Sequence, residues 1–140
     1  MKLLGLALLA VSLASGCGNE CKTDDPDVDV RYDGGTLAGG VYQTSGWEGP
    51  FLHFPPGRRF VLLHGLGSTP ADVQIYLSFS SQGLDPDAGR NLAPSAGNQA
   101  VIEAVTANEI QVRNDSCSEF YLRVVATAPS GDAGTEAGSP

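Results

Sequence analysis

The chain has 140 residues, about the length of one domain, with eight Lys and Arg against sixteen Asp and Glu and a formal net charge of −8. An acidic chain without a Lys/Arg cluster has no means of neutralising phosphates, which excludes a nucleic-acid partner. Eighteen Gly and nine Pro fall without a period, which excludes collagen and argues against a helical bundle.

The N-terminus carries an address. One positive charge at Lys2 precedes an apolar run from Leu3 to Ala14. As a helix that run spans ~17 Å, roughly half the bilayer core, so it reads as the h-region of a secretory signal and not as a transmembrane anchor. Ala14, Ser15 and Gly16 supply small residues immediately before Cys17. This small-small-Cys pattern resembles the lipobox of bacterial lipoproteins. The resemblance implies that residues 1–16 are removed as a signal peptide and that Cys17 carries the lipid. The sequence departs from the family pattern in one place: Ala14 stands where a Leu is usual, with Leu13 one position earlier. An ordinary secreted protein cleaved at the same bond is the alternative. Gly18 follows the Cys where the family uses Asp for inner-membrane retention, so the resemblance implies the outer membrane or cell surface.

With Cys17 lipidated, Cys21 and Cys117 are left as an even pair in an oxidising compartment, and a disulfide between them is expected. Metal binding by two Cys so far apart, with no His nearby, is the weaker alternative. Residues 17–27 read as a lipidated tether, 28–127 as the folded domain and 128–140 as a tail too small and polar to offset its ordering entropy.

Within the domain the apolar period is two. Val28 to Tyr32 alternates and stops at Gly34-Gly35. Gly40 to Thr44 is short and ends at Ser45-Gly46. Arg59 to His64 is a fuller apolar run closed by Gly65-Leu-Gly67. Val73, Ile75, Leu77 and Phe79 share one face of the next run. Ser81 to Asn98 reads as a long loop. Gln99 to Thr106 meets Glu109 to Arg113 across Ala107-Asn108, a two-residue hairpin turn, and Phe120 to Ala126 closes the domain. The whole predicts an all-β fold, a single antiparallel β-sandwich of about seven short strands.

The motifs that carry chemistry are few. An apolar strand ending in His64-Gly-Leu-Gly67 resembles the oxyanion strand of α/β-hydrolases, and Ser95 lies in an imitation of their nucleophile elbow. Both His residues precede Ser95, against that family's order, and no strand-to-helix turn surrounds it. His64 then reads as a strand-end residue whose ring hydrogen-bonds a neighbour. Asp24, Asp25, Asp27, Asp29 and Asp33 cluster without the loop spacing of a calcium site, and no His-x-His or His-Glu-x-x-His spacing occurs. The expectation is therefore a non-enzymatic chain with no cofactor and no metal. Asn114-Asp-Ser116 matches a glycosylation acceptor, for which a bacterial lipoprotein has little use.

One surface feature stands out. Trp47, the only Trp, lies in the Gly/Pro-rich connection Ser45-Gly-Trp-Glu48-Gly-Pro-Phe51, with Phe54 close behind. Aromatic groups on such loops make protein or carbohydrate contacts, which nominates Trp47, Glu48 and Phe51. The competing reading places Trp47 as a cap on the open end of the core.

The order His64-Gly-Leu-Gly-Ser-Thr-Pro70, strand, turn, strand, strand is similar to the small β-sandwiches of H-type lectins and phage tail-fibre tips. It also resembles small bacterial lipoproteins with no assigned activity. The lectins' sugar-binding residues find no matching motif here. Together these readings predict a lipid-anchored exported binding module, its partners a membrane through the lipid and a protein or glycan through the loops. A structural envelope lipoprotein with no small ligand is the alternative.

Overall fold

A computed structural model describes residues 29–85, 89–97 and 99–130. The signal region 1–16, the tether 17–27 and most of the tail lie outside the described residues. The strands in chain order are β1 (Asp29–Tyr32), β2 (Thr36–Ala38), β3 (Val41–Gln43), β4 (Leu52–Phe54), β5 (Arg59–Leu63) and β6 (Asp72–Ser78). They are followed by β7 (Leu84–Asp85), β8 (Gly89–Arg90), β9 (Ala93–Pro94), β10 (Val101–Val105), β11 (Glu109–Arg113) and β12 (Phe120–Thr127).

Two sheets make the sandwich. One has the order β1-β5-β11-β10; the other has β2-β3-β12-β6-β9, with β4 also paired to β12. Strands β7 and β8 form a separate small hairpin. Alternation explains the two layers. On β12, Phe120, Leu122, Val124 and Ala126 point inward and meet Phe60 and Leu62 of β5 and Ile110 and Val112 of β11 in one buried cluster. Tyr42 of β3, Phe54 of β4, Leu77 of β6 and Ala100, just before β10, complete it. The longest pairing is β12 against β6, antiparallel from Tyr121 opposite Ser78 to Thr127 opposite Asp72.

The all-β, sandwich-like fold expected from the sequence is the one observed. The hairpin at Ala107-Asn108 is also as expected: Val105 faces Ile110, and the Thr106 amide donates to the Glu109 carbonyl at 2.9 Å. The details differ in four places. Strand β1 pairs with β5 in parallel, because the chain makes β2 to β4 in the other sheet before returning. Strands β2 and β4 were not expected; three residues are too few to display a period of two. The stretch Ser81 to Asn98 is not a plain loop, since it holds β7, β8 and β9, and β9 pairs with β6 through Ala93 and Pro94. Phe79 lies beyond the end of β6 and is 72% exposed, so it does not share the inward face of Val73, Ile75 and Leu77.

Candidate functional site

The connection from β3 to β4 is pinned at both ends. At its start, Thr44 is buried, its amide donating to the Val124 carbonyl and its hydroxyl accepting from the Val124 amide, each at 3.0 Å. Gly49 adopts a positive φ of 74°, and a Cβ there would stand 2.6 Å from the Ser81 carbonyl oxygen. Only glycine fits that approach. The Phe51 amide then donates to the same Ser81 carbonyl at 2.6 Å. Between these anchors a turn, closed by the Gly49 amide on the Gly46 carbonyl at 3.4 Å, projects Trp47 and Glu48.

Trp47 is 47% exposed and lies on the outer face of the six-stranded sheet. It does not belong to the buried cluster between the sheets, so it is not a cap on the core. Its ring sits on Arg123, whose guanidinium carbon is 3.8 Å from the ring centroid, and it meets Tyr76 edge-on at 5.1 Å. Arg123 and Tyr76 are register partners on β12 and β6.

Arg123 is 1% exposed. Its Nε donates to the Ser45 carbonyl at 3.1 Å and its Nη2 to the Gln43 side-chain oxygen at 2.7 Å. Its Nη1 is buried without a hydrogen-bond partner, and so is the hydroxyl of neighbouring Ser45. Among the described residues no carboxylate pairs with it. Burial pulls the guanidinium below its ordinary pKa, with Tyr76 opposing the shift. Beside this cluster the Tyr76 hydroxyl donates to the Gln74 side-chain oxygen at 2.7 Å, and Gln74 donates to Asp72 at 2.8 Å.

Of the three residues nominated for contact, two are at the surface. Glu48 is exposed beside Trp47. Phe51 corrects the expectation: it is 5% exposed, with its ring against Gly83, where a Cβ would come within 2.5 Å of it. The amide of Phe51 is tied to Ser81, so the ring turns in and anchors the loop. Cys117 is exposed ahead of β12, while Cys17 and Cys21 lie outside the described residues.

The remaining motifs have local explanations. His64 is buried; its Nδ1 accepts from the Leu66 amide at 3.1 Å, which leaves Nε2 as the donor to the Thr106 carbonyl at 3.1 Å. Both ring nitrogens are committed to main chain, as expected for a strand-end His. Ser95 follows β9, with its amide on the Ile75 carbonyl at 2.8 Å. Asp29 pairs with Arg59 at 3.0 Å, in a network along the four-stranded sheet that continues through Glu103 to Arg113 and to Asp115 just after β11.

No protein-family model, curated protein or solved structure matches the chain. Arg123, Tyr76 and Gln43 were not singled out from the sequence, and Ser45 entered only as the first residue of the Trp47 segment. The one available signal was an Arg between Leu122 and Val124 in an otherwise apolar strand, and alternation alone reads it as a solvated outward residue.

Proposed function

We propose that the chain is an exported, lipid-anchored binding module that engages a glycan through the Trp47 face of its six-stranded sheet. The observation that carries this reading is the half-exposed Trp47 ring, held in place on Arg123 and Tyr76 by a loop pinned at both ends. A pre-positioned, partly exposed aromatic ring offers contact area at low ordering cost, and its polar surroundings supply hydrogen bonds. The lipid would sit on Cys17 after removal of residues 1–16, as in the lipoproteins the N-terminus resembles. The tether would then carry the domain clear of an outer membrane or cell surface. A disulfide from Cys21 to Cys117 belongs to the same reading, and it would fasten the tether close to the start of β12.

Trp47 is the only Trp, so intrinsic fluorescence reports on the loop directly. Titration with a panel of neutral and acidic oligosaccharides should shift or quench its emission. Acrylamide should quench the free protein readily and the complexed protein less. Emission that ignores every oligosaccharide, with quenching unchanged, sets aside Trp47 as a contact. Partition of the wild-type protein into the aqueous phase of a detergent split, just as for Cys17→Ser, sets aside the lipid anchor independently.

A further inference from the structure

The geometry points to a carboxylate subsite beneath Trp47, formed by Arg123 Nη1 and Ser45 Oγ, so that the glycan engaged is an acidic one of the uronate class. This inference rests on the proposed Trp47 contact face and makes its ligand specific.

Three observations converge. Arg123 is almost wholly buried on the outward face of the sheet, yet no carboxylate among the described residues pairs with it, although acids outnumber bases two to one along the chain. Two other Arg residues of the same fold do find carboxylates: Arg59 takes Asp29 and Glu103, and Arg113 takes Glu103 and Asp115, while Arg31 and Arg58, which have no ion pair among the described residues, keep contact with solvent as Arg123 does not. A buried, unpaired cation is costly to keep, and a carboxylate brought by a ligand relieves that cost. Secondly, two of the guanidinium's three nitrogens are satisfied by Ser45 and Gln43, and the third is orphaned. The Ser45 hydroxyl, on the residue whose carbonyl already binds Arg123, is orphaned too. An N–H donor group and a hydroxyl on two residues already joined by a hydrogen bond supply donors of the kind a carboxylate accepts. Thirdly, the ring above them is flat and half-exposed, which suits a pyranose better than an extended peptide, and the guanidinium under it weakens its attraction for cations.

The orphaned groups are closed to solvent as they stand, so a ligand must shift the loop. Both ends stay pinned, at Thr44 and at Gly49, and the give lies between them: Gly46 is exposed and a Cβ there would meet nothing within 4 Å. In this proposal the turn rocks about Gly46 enough to open the path to Nη1, which makes fluorescence the natural readout.

The test compares tetrasaccharides of polygalacturonate, alginate and hyaluronan with their methyl esters, which keep the shape and remove the charge. At least one acid form should shift Trp47 emission and bind about tenfold or more tightly than its ester, the margin of one charged hydrogen-bond pair. Ser45→Ala removes a hydroxyl with no partner, so its melting temperature should stay at the wild-type value while the acid-over-ester ratio falls several-fold. Arg123→Lys should abolish the ratio. Equal binding of acid and ester overturns the carboxylate subsite and leaves the Trp47 contact standing. Silence from every acid and ester up to about 10 mM overturns both. Competition by a poly-Glu peptide at the same affinity as the acid sugar overturns the choice of a glycan.

Discussion

The guanidinium of Arg123 lies 3.8 Å from the centroid of the Trp47 ring, and this contact joins the middle of the longest strand to a turn more than seventy residues earlier. Each group depends on the other. Without Trp47 the guanidinium would be open to water on the outer face of the sheet; without Arg123 the ring would have only the edge of Tyr76 to rest on. Cation–π contacts range from about 0.5 kcal/mol when exposed to about 2 kcal/mol when desolvated, and burial on the Arg123 side puts this one toward the upper end.

Trp47→Ala should therefore destabilise the domain by about 1–2 kcal/mol, between the figures for a free surface residue and a core aromatic. Urea unfolding followed by far-ultraviolet circular dichroism is the measurement, since the variant has no Trp left. A loss below about 0.5 kcal/mol means the ring does not hold the loop on Arg123. A loss above about 3 kcal/mol places it with core side chains.

Alkaline pH should weaken the fold through Tyr42. Its hydroxyl donates to the Gly34 carbonyl at 3.1 Å, and burial, with a smaller contribution from neighbouring Tyr32, pushes its pKa well above the ordinary value. Tyr32 moves in the same direction, by burial and then by Asp33. Above about pH 10 the unfolded chain releases phenolic protons that the native protein still holds. Unfolding free energy then falls as pH rises, by up to about 1.4 kcal/mol per pH unit for each such Tyr. Tyr42→Phe should lower stability at neutral pH by about 1 kcal/mol and flatten the alkaline slope. Urea midpoints between about pH 8 and pH 11 test this, and an unchanged slope in the variant removes Tyr42 as the source.

The sandwich was legible because β6, β11 and β12 are long enough to display their alternation, and Ala107-Asn108 marks its own turn. Strands β2, β4 and β9 were not, because each is short and owes its extended shape to a neighbour that the sequence does not place beside it. The site divides in the same way. Trp47 drew notice as a lone aromatic among glycines. Phe51, two residues after Gly49, has a similar local setting and yet points inward, because Gly83 leaves room for its ring. Arg123 was hidden for the opposite reason. Its outward position was readable from the strand, but its burial depends on a loop far away in sequence.

Asn114 is the next test of a reading that the motif alone would misdirect. Its side-chain nitrogen donates to the Phe54 carbonyl at 2.8 Å and to the Ser118 carbonyl at 2.9 Å, and its oxygen accepts from the Ser116 amide and hydroxyl. It is fully buried, so the Asn-Asp-Ser acceptor pattern is unusable in the folded chain. Asn114→Ala strands the Phe54 and Ser118 carbonyls and should cost roughly 2–4 kcal/mol. Asn114→Asp should cost a comparable amount, since a carboxylate cannot donate to either carbonyl. Thermal melts in which both variants match the wild type would show that these bonds do not hold β4 to the turn before β12.

The proposed Cys21–Cys117 bridge can be judged apart from the lipid. It would close a loop of nearly the whole domain, for which the chain-entropy model gives roughly 4–5 kcal/mol. Intact mass of the exported protein should rise on reduction by the hydrogens of one bridge, and peptide mapping should join the Cys21 and Cys117 peptides. Cys117→Ala should lower stability by about 2–5 kcal/mol in the oxidised protein and leave the reduced protein nearly unaffected, because Cys117 is exposed and fills no core space. The contrast between the two conditions matters more than either value. A variant that loses as much stability under reductant as without it would owe the loss to packing at the turn, and the bridge would have to be abandoned. A bridge joining Cys17 to Cys117 would be more telling still. It would take the thiol that the lipid needs, and the anchored reading of the N-terminus would fall with it.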